Sequence, residues 1–172
     1  MRTRVIWAVS ALTATLAAAG PVRMNDIPAE ARWWAHLDVE QFKQTEVGRT
    51  FLELMNQPEI ARKLDALKAI FNFDIRTDLD GLTACGAGRR SAVIARGRFD
   101  QQRLLTLLRG GDGYEELVLD GRTIHSWIDE GKAKKQGADK ARMYGAIHRS
   151  GAAVLSEQAD TVAHVLKVLD GE

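Results

Sequence analysis

The sequence predicts an α+β domain in which an antiparallel β-sheet carries its helices on one face. Short alternating apolar runs, typical of half-buried strands, occur in hairpin-like pairs, and amphipathic runs near a 3.6-residue period follow them. A weak internal repeat supports this class, because a shift of 61 positions places the segment 92–110 onto 153–171. Strand-helix units joined by hairpins favour an antiparallel sheet with helices packed against it.

The first half of the chain predicts one strand, two helices and then two strands. Residues 33–39 alternate as a strand does. An amphipathic helix follows from Glu40, and Gln57-Pro58 interrupts it, because proline suits the first turn of a second helix. That second helix runs to Phe71. Two short strands are then predicted, at 82–87 and 92–99.

The second half predicts two more hairpins and two more helices. Asp100 can cap a helix that stops at Gly110, and Asp120-Gly121 is the strongest hairpin signal in the chain. Four lysines between Gly131 and Lys140 predict a solvated loop. The predicted elements are a helix at 101–108, strands at 114–119, 122–128, 142–148 and 152–156, and a helix from Asp160 or Thr161 to Leu169.

The first twenty residues predict export. Residues 1–4 are basic, 5–19 form an apolar run without charge, and three alanines provide a cleavage site before Gly20. The run is too short to span a bilayer comfortably. We therefore predict a signal peptide at 1–19, a single domain at 20–172, no membrane span after cleavage, and a periplasmic or extracellular location.

Charge and cysteine content narrow the possible partners. The formal charge is +1, and losing Arg2 and Arg4 with the signal peptide makes it −1, so the chain has no global attraction for nucleic acid. Cys85 is the only cysteine. It cannot form an internal disulfide, and its small neighbours predict a buried, unreactive thiol. Export removes ATP and nicotinamide cofactors, and no cofactor is predicted.

Alternation collects aromatic and histidine side chains on one side of three predicted strands. If helices cover the apolar side, these side chains form an open face, and open aromatic faces are typical of binding surfaces. We therefore predict a non-enzymatic module that binds a protein or a second copy of itself. The predicted binding residues are Trp34, His36, His125, Trp127 and Tyr144.

Other interpretations of the same residues remain open. They can be ordinary cross-strand pairs on a half-exposed sheet. A secreted hydrolase or metal-dependent enzyme would use His36, Asp38, His125 and Asp129, although a convincing nucleophile is missing, because Ser126 points to the opposite strand face from His125. A zinc or copper site would need His36, His125 and His148 to converge.

Several strand-and-turn signatures are shared with a known group of proteins. They include Phe73-Asp-Ile-Arg-Thr-Asp-Leu-Asp-Gly-Leu-Thr83, Gly121-Arg-Thr-Ile-His-Ser-Trp127, and the segments 27–39 and 92–100. Across most of the mature chain the sequence resembles exported, uncharacterised proteins of planctomycete-type bacteria. The resemblance implies export and an α+β fold but no chemistry. Because such proteins often carry a second related half, it also implies that this chain is one half of a longer architecture.

Overall fold

A computed structural model describes residues 22–136 and 141–172 of the chain. The predicted signal peptide at 1–19 lies outside these residues. The strands are β1 (Trp33–Asp38), β2 (Leu79–Ala87), β3 (Arg90–Gly97), β4 (Glu115–Leu119), β5 (Arg122–Ile128), β6 (Arg142–His148) and β7 (Ala152–Ser156). The helices are α1 (Val39–Gln44), α2 (Glu46–Met55), α3 (Pro58–Phe71), α4 (Gln101–Arg109), α5 (Glu130–Gln136) and α6 (Ala159–Asp170).

All seven strands form one antiparallel sheet in the order β1-β2-β3-β7-β6-β5-β4. Two hairpins, β2-β3 and β6-β7, meet where β3 pairs with β7 at the centre of the sheet. The α+β class and the antiparallel sheet predicted from the sequence are therefore confirmed. None of the helices in the described residues is long and apolar enough to cross a membrane.

One face of the sheet packs directly against α6, and we call it the core face. The register sets Ile94, Val154 and Ala146 side by side on neighbouring strands, and Ile124 extends the row on β5. Val162 and Val165 of α6 are fully buried against this row. The residues are small or β-branched, so the helix can approach the sheet closely and bury its apolar side.

The opposite face of the sheet, which we call the cavity face, presents Ala95, Ala153, Leu155, Gly145 and Trp127. Helices α3 and α4 stand over this face and line a cavity with it. The sequence predicted helices on one face of the sheet, and α6 packs on the core face. The structure adds a second helical layer, α3 and α4, over the cavity face.

The internal repeat explains how two similar units place their helices on opposite faces. The shift of 61 positions equates Ile94 with Leu155, but Ile94 lies on the core face and Leu155 on the cavity face. Because strand residues alternate, an odd offset in register exchanges the two faces. The hairpin-then-helix order recurs along the chain, while α4 and α6 pack on different sides of the sheet.

The first predicted helix is two helices. Thr45 adopts an extended conformation between α1 and α2, and its side chain accepts a hydrogen bond from the Gly48 backbone at 3.0 Å. A Cβ on Gly48 would lie 1.8 Å from the Phe42 carbonyl oxygen. Threonine as a cap and glycine at the contact thus let α2 turn sharply against α1.

The segment after β5 was predicted as a loop, and that prediction is wrong for its first half. Residues Glu130–Gln136 form α5, which Asp129 begins by accepting a hydrogen bond from the Lys132 backbone at 2.9 Å. Asp129 is a residue type that commonly caps helices, but the four lysines after it favoured the interpretation of this segment as a solvated loop. Residues 137–140 lie outside the described part of the chain.

A buried carboxylate, Asp74, joins α3 to the start of β2. Asp74 is 4% exposed and accepts hydrogen bonds from the Arg76 backbone at 3.0 Å and from its guanidinium at 2.8 and 2.9 Å. Arg76 also bonds Asp65 of α3 at 2.5 Å, and Asp78 accepts a hydrogen bond from the Asp74 backbone at 2.8 Å. These bonds fix the end of α3 relative to the sheet.

We expect Asp74→Asn to lower the free energy of unfolding at pH 7 by about 1–3 kcal/mol, since it removes charge-assisted hydrogen bonds from a buried site. The Arg76 hydrogen bonds hold the pKa of Asp74 at about 2, below its ordinary value of 3.8. A carboxyl of this kind stabilises the folded state above its ordinary pKa and loses that effect as the pH falls from about 4 towards 2. The difference between variant and wild type should therefore shrink over that range, as thermal unfolding measured by circular dichroism can show.

Asp80→Asn in β2 is the matched control, because it removes a nearby carboxylate that is not part of this cluster. An equal loss of stability in the two variants, or a difference for Asp74→Asn that persists unchanged at pH 2, would contradict the assignment.

Candidate functional site

An apolar cavity of about 660 Å³ lies between the cavity face of the sheet and the helices α3 and α4. Its floor comes from four strands and its roof from two helices, so it is walled on both sides. From the sheet the lining residues are Ala95, Ala153, Leu155, Gly145, Ile147, His125 and Trp127. From the helices they are Leu64, Leu67 and Phe71 of α3 and Leu104, Leu105, Leu107 and Leu108 of α4.

The floor is low because its central residues are small. Ala95, Ala153 and Gly145 occupy the middle of the cavity face on β3, β7 and β6. A Cβ added to Gly145 would lie 2.9 Å from Leu155 Cδ2 and 3.1 Å from Trp127 Cη2. The ring of Trp127 therefore rests over Gly145, and the two residues together shape the floor.

The roof is fastened at the junction of α3 and α4. The Arg103 guanidinium donates to the carbonyl oxygens of Ile70 at 2.7 Å and Ala69 at 2.9 Å, at the end of α3. The Asn72 amide donates to Asp100, the cap of α4, at 2.9 Å. Because these bonds satisfy the free carbonyls of a helix end, they tie α3 to α4 without drawing either helix down onto the sheet.

A stacked aromatic pair closes this end of the cavity. The rings of Phe73 and Phe99 lie 4.8 Å apart with an angle of 20° between their planes, and both residues line the cavity. With Phe71 they make this end entirely apolar. An occupant would meet only hydrocarbon and aromatic surface here.

The other end of the cavity is polar, and His125 is its most buried polar residue. His125 is 8% exposed and lies on β5, with Nδ1 3.0 Å from the Tyr114 hydroxyl. Tyr114 in turn lies 3.3 Å from Glu116 Oε2. Burial lowers the pKa of His125; the charge of Glu116 opposes this effect and that of Arg109 reinforces it. The imidazole is therefore neutral at pH 7.

Two exposed acidic residues, Asp112 and Glu130, line the same end of the cavity. The Asp112 carbonyl accepts a hydrogen bond from the Ile128 backbone at 3.1 Å, which fixes this loop beside the end of β5. Glu130 begins α5 immediately after β5. The cavity thus has an apolar end beneath the α3-α4 junction and an acidic, hydrogen-bonding end beside β5.

The structure divides the residues predicted to share one open face. Trp34, His36 and Tyr144 lie on the core face, whereas His125 and Trp127 lie on the cavity face. Strand β1 is at one edge of the sheet and β5 is five positions away, about 24 Å at the usual strand spacing. The prediction of a single face is therefore wrong: alternation pairs residues within a strand but does not say which set turns towards a helix.

The hydrolase and metal arrangements are not assembled either. His36 and Asp38 lie on β1, while His125 is on β5 and Asp129 directly follows it. Asp38 and Asp129 are both helix caps, accepting from the Gln41 and Lys132 backbones at 2.9 Å. For metal binding, the described residues contain no group of three or more histidine, cysteine or acidic side chains placed to hold an ion. The predicted set of His36, His125 and His148 therefore does not form a site.

His36 and His148 have local structural roles instead. His36 Nδ1 lies 2.9 Å from the Thr83 hydroxyl on the neighbouring strand. His148 joins the β6-β7 turn to the end of α6, with Ser150 Oγ 2.7 Å from Nδ1 and Asp170 Oδ1 3.0 Å from Nε2. The His148 hydrogen bond, helped by Arg122, holds the pKa of Asp170 below its ordinary range.

The Ser150-His148-Asp170 chain contains the residue types of a hydrolytic triad but lacks the surroundings. The Ser150 backbone already donates to His148 Nδ1 at 3.2 Å, and Asp170 is also bonded by Arg122 and Arg149. Neither cavity described here is lined by any of the three residues. The cluster therefore fastens α6 to the hairpin and offers no substrate pocket.

A second cavity of about 250 Å³ lies on the core face beside Cys85, away from the Ser150-His148-Asp170 chain. Cys85 is 2% exposed, and burial raises the pKa of its thiol. A buried thiol with a raised pKa is a poor nucleophile. The structure thus confirms that Cys85 is buried. Its thiol does not give the smaller cavity a reactive group.

The sequence did not identify the roof leucines or Tyr114 as parts of a site. A signal was present, since α4 contains Leu104, Leu105, Leu107 and Leu108 opposite strands whose cavity-face residues are glycine and alanine. Large residues on a helix that face small residues on a sheet indicate either tight packing of the helix against the sheet or a cavity between them. Only the distance between the helix and the sheet distinguishes these two cases.

No family model, curated protein or solved structure matches the chain. The resemblance to exported planctomycete-type proteins stays a prediction, and the functional inference depends on the geometry of the cavity.

We expect Gly145→Ala to displace the Trp127 ring and to lower the free energy of unfolding by about 1–3 kcal/mol, because the added methyl group overlaps Trp127 and Leu155. The indole N–H resonance of Trp127 in a ¹⁵N-¹H NMR spectrum should shift. Gly110→Ala at the end of α4 is the control, since a Cβ there makes only ordinary contacts at 3.6 Å or more. An unchanged indole resonance in Gly145→Ala would contradict the described floor.

Proposed function

We propose that the protein is an exported, non-enzymatic binding module whose ligand is an elongated apolar small molecule held in the cavity between the sheet and α3-α4. The observation that carries this proposal is a cavity of about 660 Å³ with walls that are apolar except at one end. Small-molecule sites are typically concave, apolar and between 300 and 1,000 Å³, with a few polar groups that orient the ligand.

The walls of the cavity favour an apolar occupant. The cavity opens to solvent rather than being sealed in the core, so a ligand competes with water for it. Water is a poor occupant, because the leucine and phenylalanine walls offer it few hydrogen bonds. An apolar molecule that displaces this water gains about 25 cal/mol for each Å² of apolar surface removed from water.

A binding role fits the site better than catalysis. His125 is the one histidine on the cavity wall, and its Nδ1 is occupied by Tyr114. The wall carries no serine, threonine, cysteine or lysine that could act as a nucleophile within the described residues. The polar groups therefore suit recognition of a ligand.

We expect Ala153→Leu to weaken binding of the apolar fluorophore N-phenyl-1-naphthylamine at least about tenfold, because the larger side chain fills the cavity floor, and a tenfold change corresponds to about 1.4 kcal/mol. Its melting temperature should stay the same or rise, since the added methyl groups occupy existing space. Fluorescence titration and thermal unfolding measure the two quantities.

Ala84→Leu is the matched control, because Ala84 lies on the same side of the sheet, on β2, but outside the cavity. If wild-type protein does not bind the fluorophore, or if both variants bind it as wild type does, the proposed site is wrong.

A second candidate function, self-association, is favoured by the edge strand β1. Its outer backbone groups face no other strand in the described residues, and Trp33 and Trp34 are 47% and 45% exposed. An unpaired edge with exposed aromatic residues can pair with the same strand of a second copy. This interface would use the predicted binding residue Trp34 but not His125 or Trp127.

Native mass spectrometry of protein recovered after export tests both the export and the association. We expect a mass that begins at Gly20 and a dimer whose population falls in Trp34→Lys, because a charge on the edge opposes strand pairing. Val118→Lys, at a more exposed apolar position on the other edge strand, β4, is the control. A chain that keeps residues 1–19 would contradict export, and a monomer at all concentrations would contradict association.

A further inference from the structure

Within the cavity, the ring of His125 has one nitrogen left for a ligand. Nδ1 faces the Tyr114 hydroxyl at 3.0 Å, and no partner is found for Nε2 among residues 22–136 and 141–172. The residue is 8% exposed and lines the cavity wall. Nε2 is not sealed in the protein interior, so a ligand that covers it must replace the hydrogen bond that water can make there.

The Tyr114 contacts determine whether that nitrogen donates or accepts. Tyr114 has a single hydroxyl proton, and it lies 3.3 Å from a Glu116 carboxylate oxygen, which can only accept. Both Tyr114 contacts are hydrogen bonds only if the proton points to Glu116 and His125 Nδ1–H donates to the Tyr114 oxygen. This orientation assigns the proton of the neutral ring to Nδ1 and leaves Nε2 as an acceptor.

The charges around this end of the cavity point the same way. Asp112 and Glu130 lie on its wall, and no lysine or arginine does within the described residues. A carboxylate head group would face two like charges and an acceptor nitrogen, and would therefore be disfavoured. A head group that donates hydrogen bonds complements all three.

We propose that the ligand is an apolar chain with a hydrogen-bond-donating head group, an alcohol or an amine, which binds His125 Nε2 while the chain extends beneath α4 towards Phe73 and Phe99. This inference rests on the proposed function and adds the chemistry of the ligand to it. The ligand's apolar chain supplies most of the affinity, and its head group sets the orientation and the selectivity.

Displacement of N-phenyl-1-naphthylamine by three C12 compounds tests the proposal, with 1-dodecanol kept below its solubility limit and the two ionic compounds below their critical micelle concentrations. We expect 1-dodecanol and dodecylammonium to displace the fluorophore at concentrations about tenfold or more below that of dodecanoate. A lower concentration for dodecylammonium than for 1-dodecanol would show that Asp112 and Glu130 also contribute. Equal or stronger displacement by dodecanoate would overturn the head-group assignment, whereas failure of the fluorophore itself to bind would overturn the proposed function.

His125→Phe removes the acceptor but keeps a planar ring of similar size. We expect it to bind the fluorophore while its preference for 1-dodecanol over dodecanoate falls, and Asp112 and Glu130 account for any preference that remains. His164→Phe, at an exposed position on α6 outside this cavity, is the matched control and should keep the preference.

The ¹⁵N chemical shifts of the His125 ring in the wild-type protein give a second measurement that needs no variant. A protonated Nδ1 with an unprotonated Nε2 supports the proposal, and the reverse tautomer overturns it.

Discussion

The small side chains at the centre of the cavity face are the constraint on which the rest of the structure depends. Ala95, Ala153 and Gly145 leave a shallow floor across three neighbouring strands. Helices α3 and α4 carry leucines and phenylalanines, which would have to descend onto this floor to exclude water. Bonds at their junction, chiefly from Arg103 to the end of α3, tie the two helices to each other. The cavity therefore follows from a short floor and a fastened roof.

The two helical layers contribute unequally to the fold. Helix α6 buries Val162, Ala163, Val165 and Leu166, whereas neither α3 nor α4 contains a fully buried residue. Lifting the roof thus exposes little surface that is now fully protected from water, while lifting α6 would open the core. Local opening is cheapest where the least surface is buried. We therefore expect α3 and α4 to open before the sheet and α6 do.

The sequence predicted most of the elements, because strands and helices depend on local periodicity. The alternation in β1 and β5, the helix cap at Asp100 and the hairpin turn at Asp120-Gly121 could be recognised from neighbouring residues alone. It did not predict which side of each strand would face a helix. Tyr144 and Trp127 are both aromatic residues on alternating strands, yet the register of β5 and β6 sends them to opposite faces. That choice depends on pairing between distant segments, which the pattern within one strand does not contain.

The same distinction separates the candidate residues that belong to the site from those that do not. His125 and Trp127 were identified correctly as residues of one strand face, but their partners were assigned from the wrong strands. Tyr114 contacts His125 because β4 pairs with β5, and Gly145 lies under Trp127 because β6 pairs on the other side. A ligand that covers an imidazole must replace the hydrogen bond that water can make to its free nitrogen. Tyr114 bonds Nδ1, so an occupant that donates a hydrogen bond to Nε2 avoids this cost.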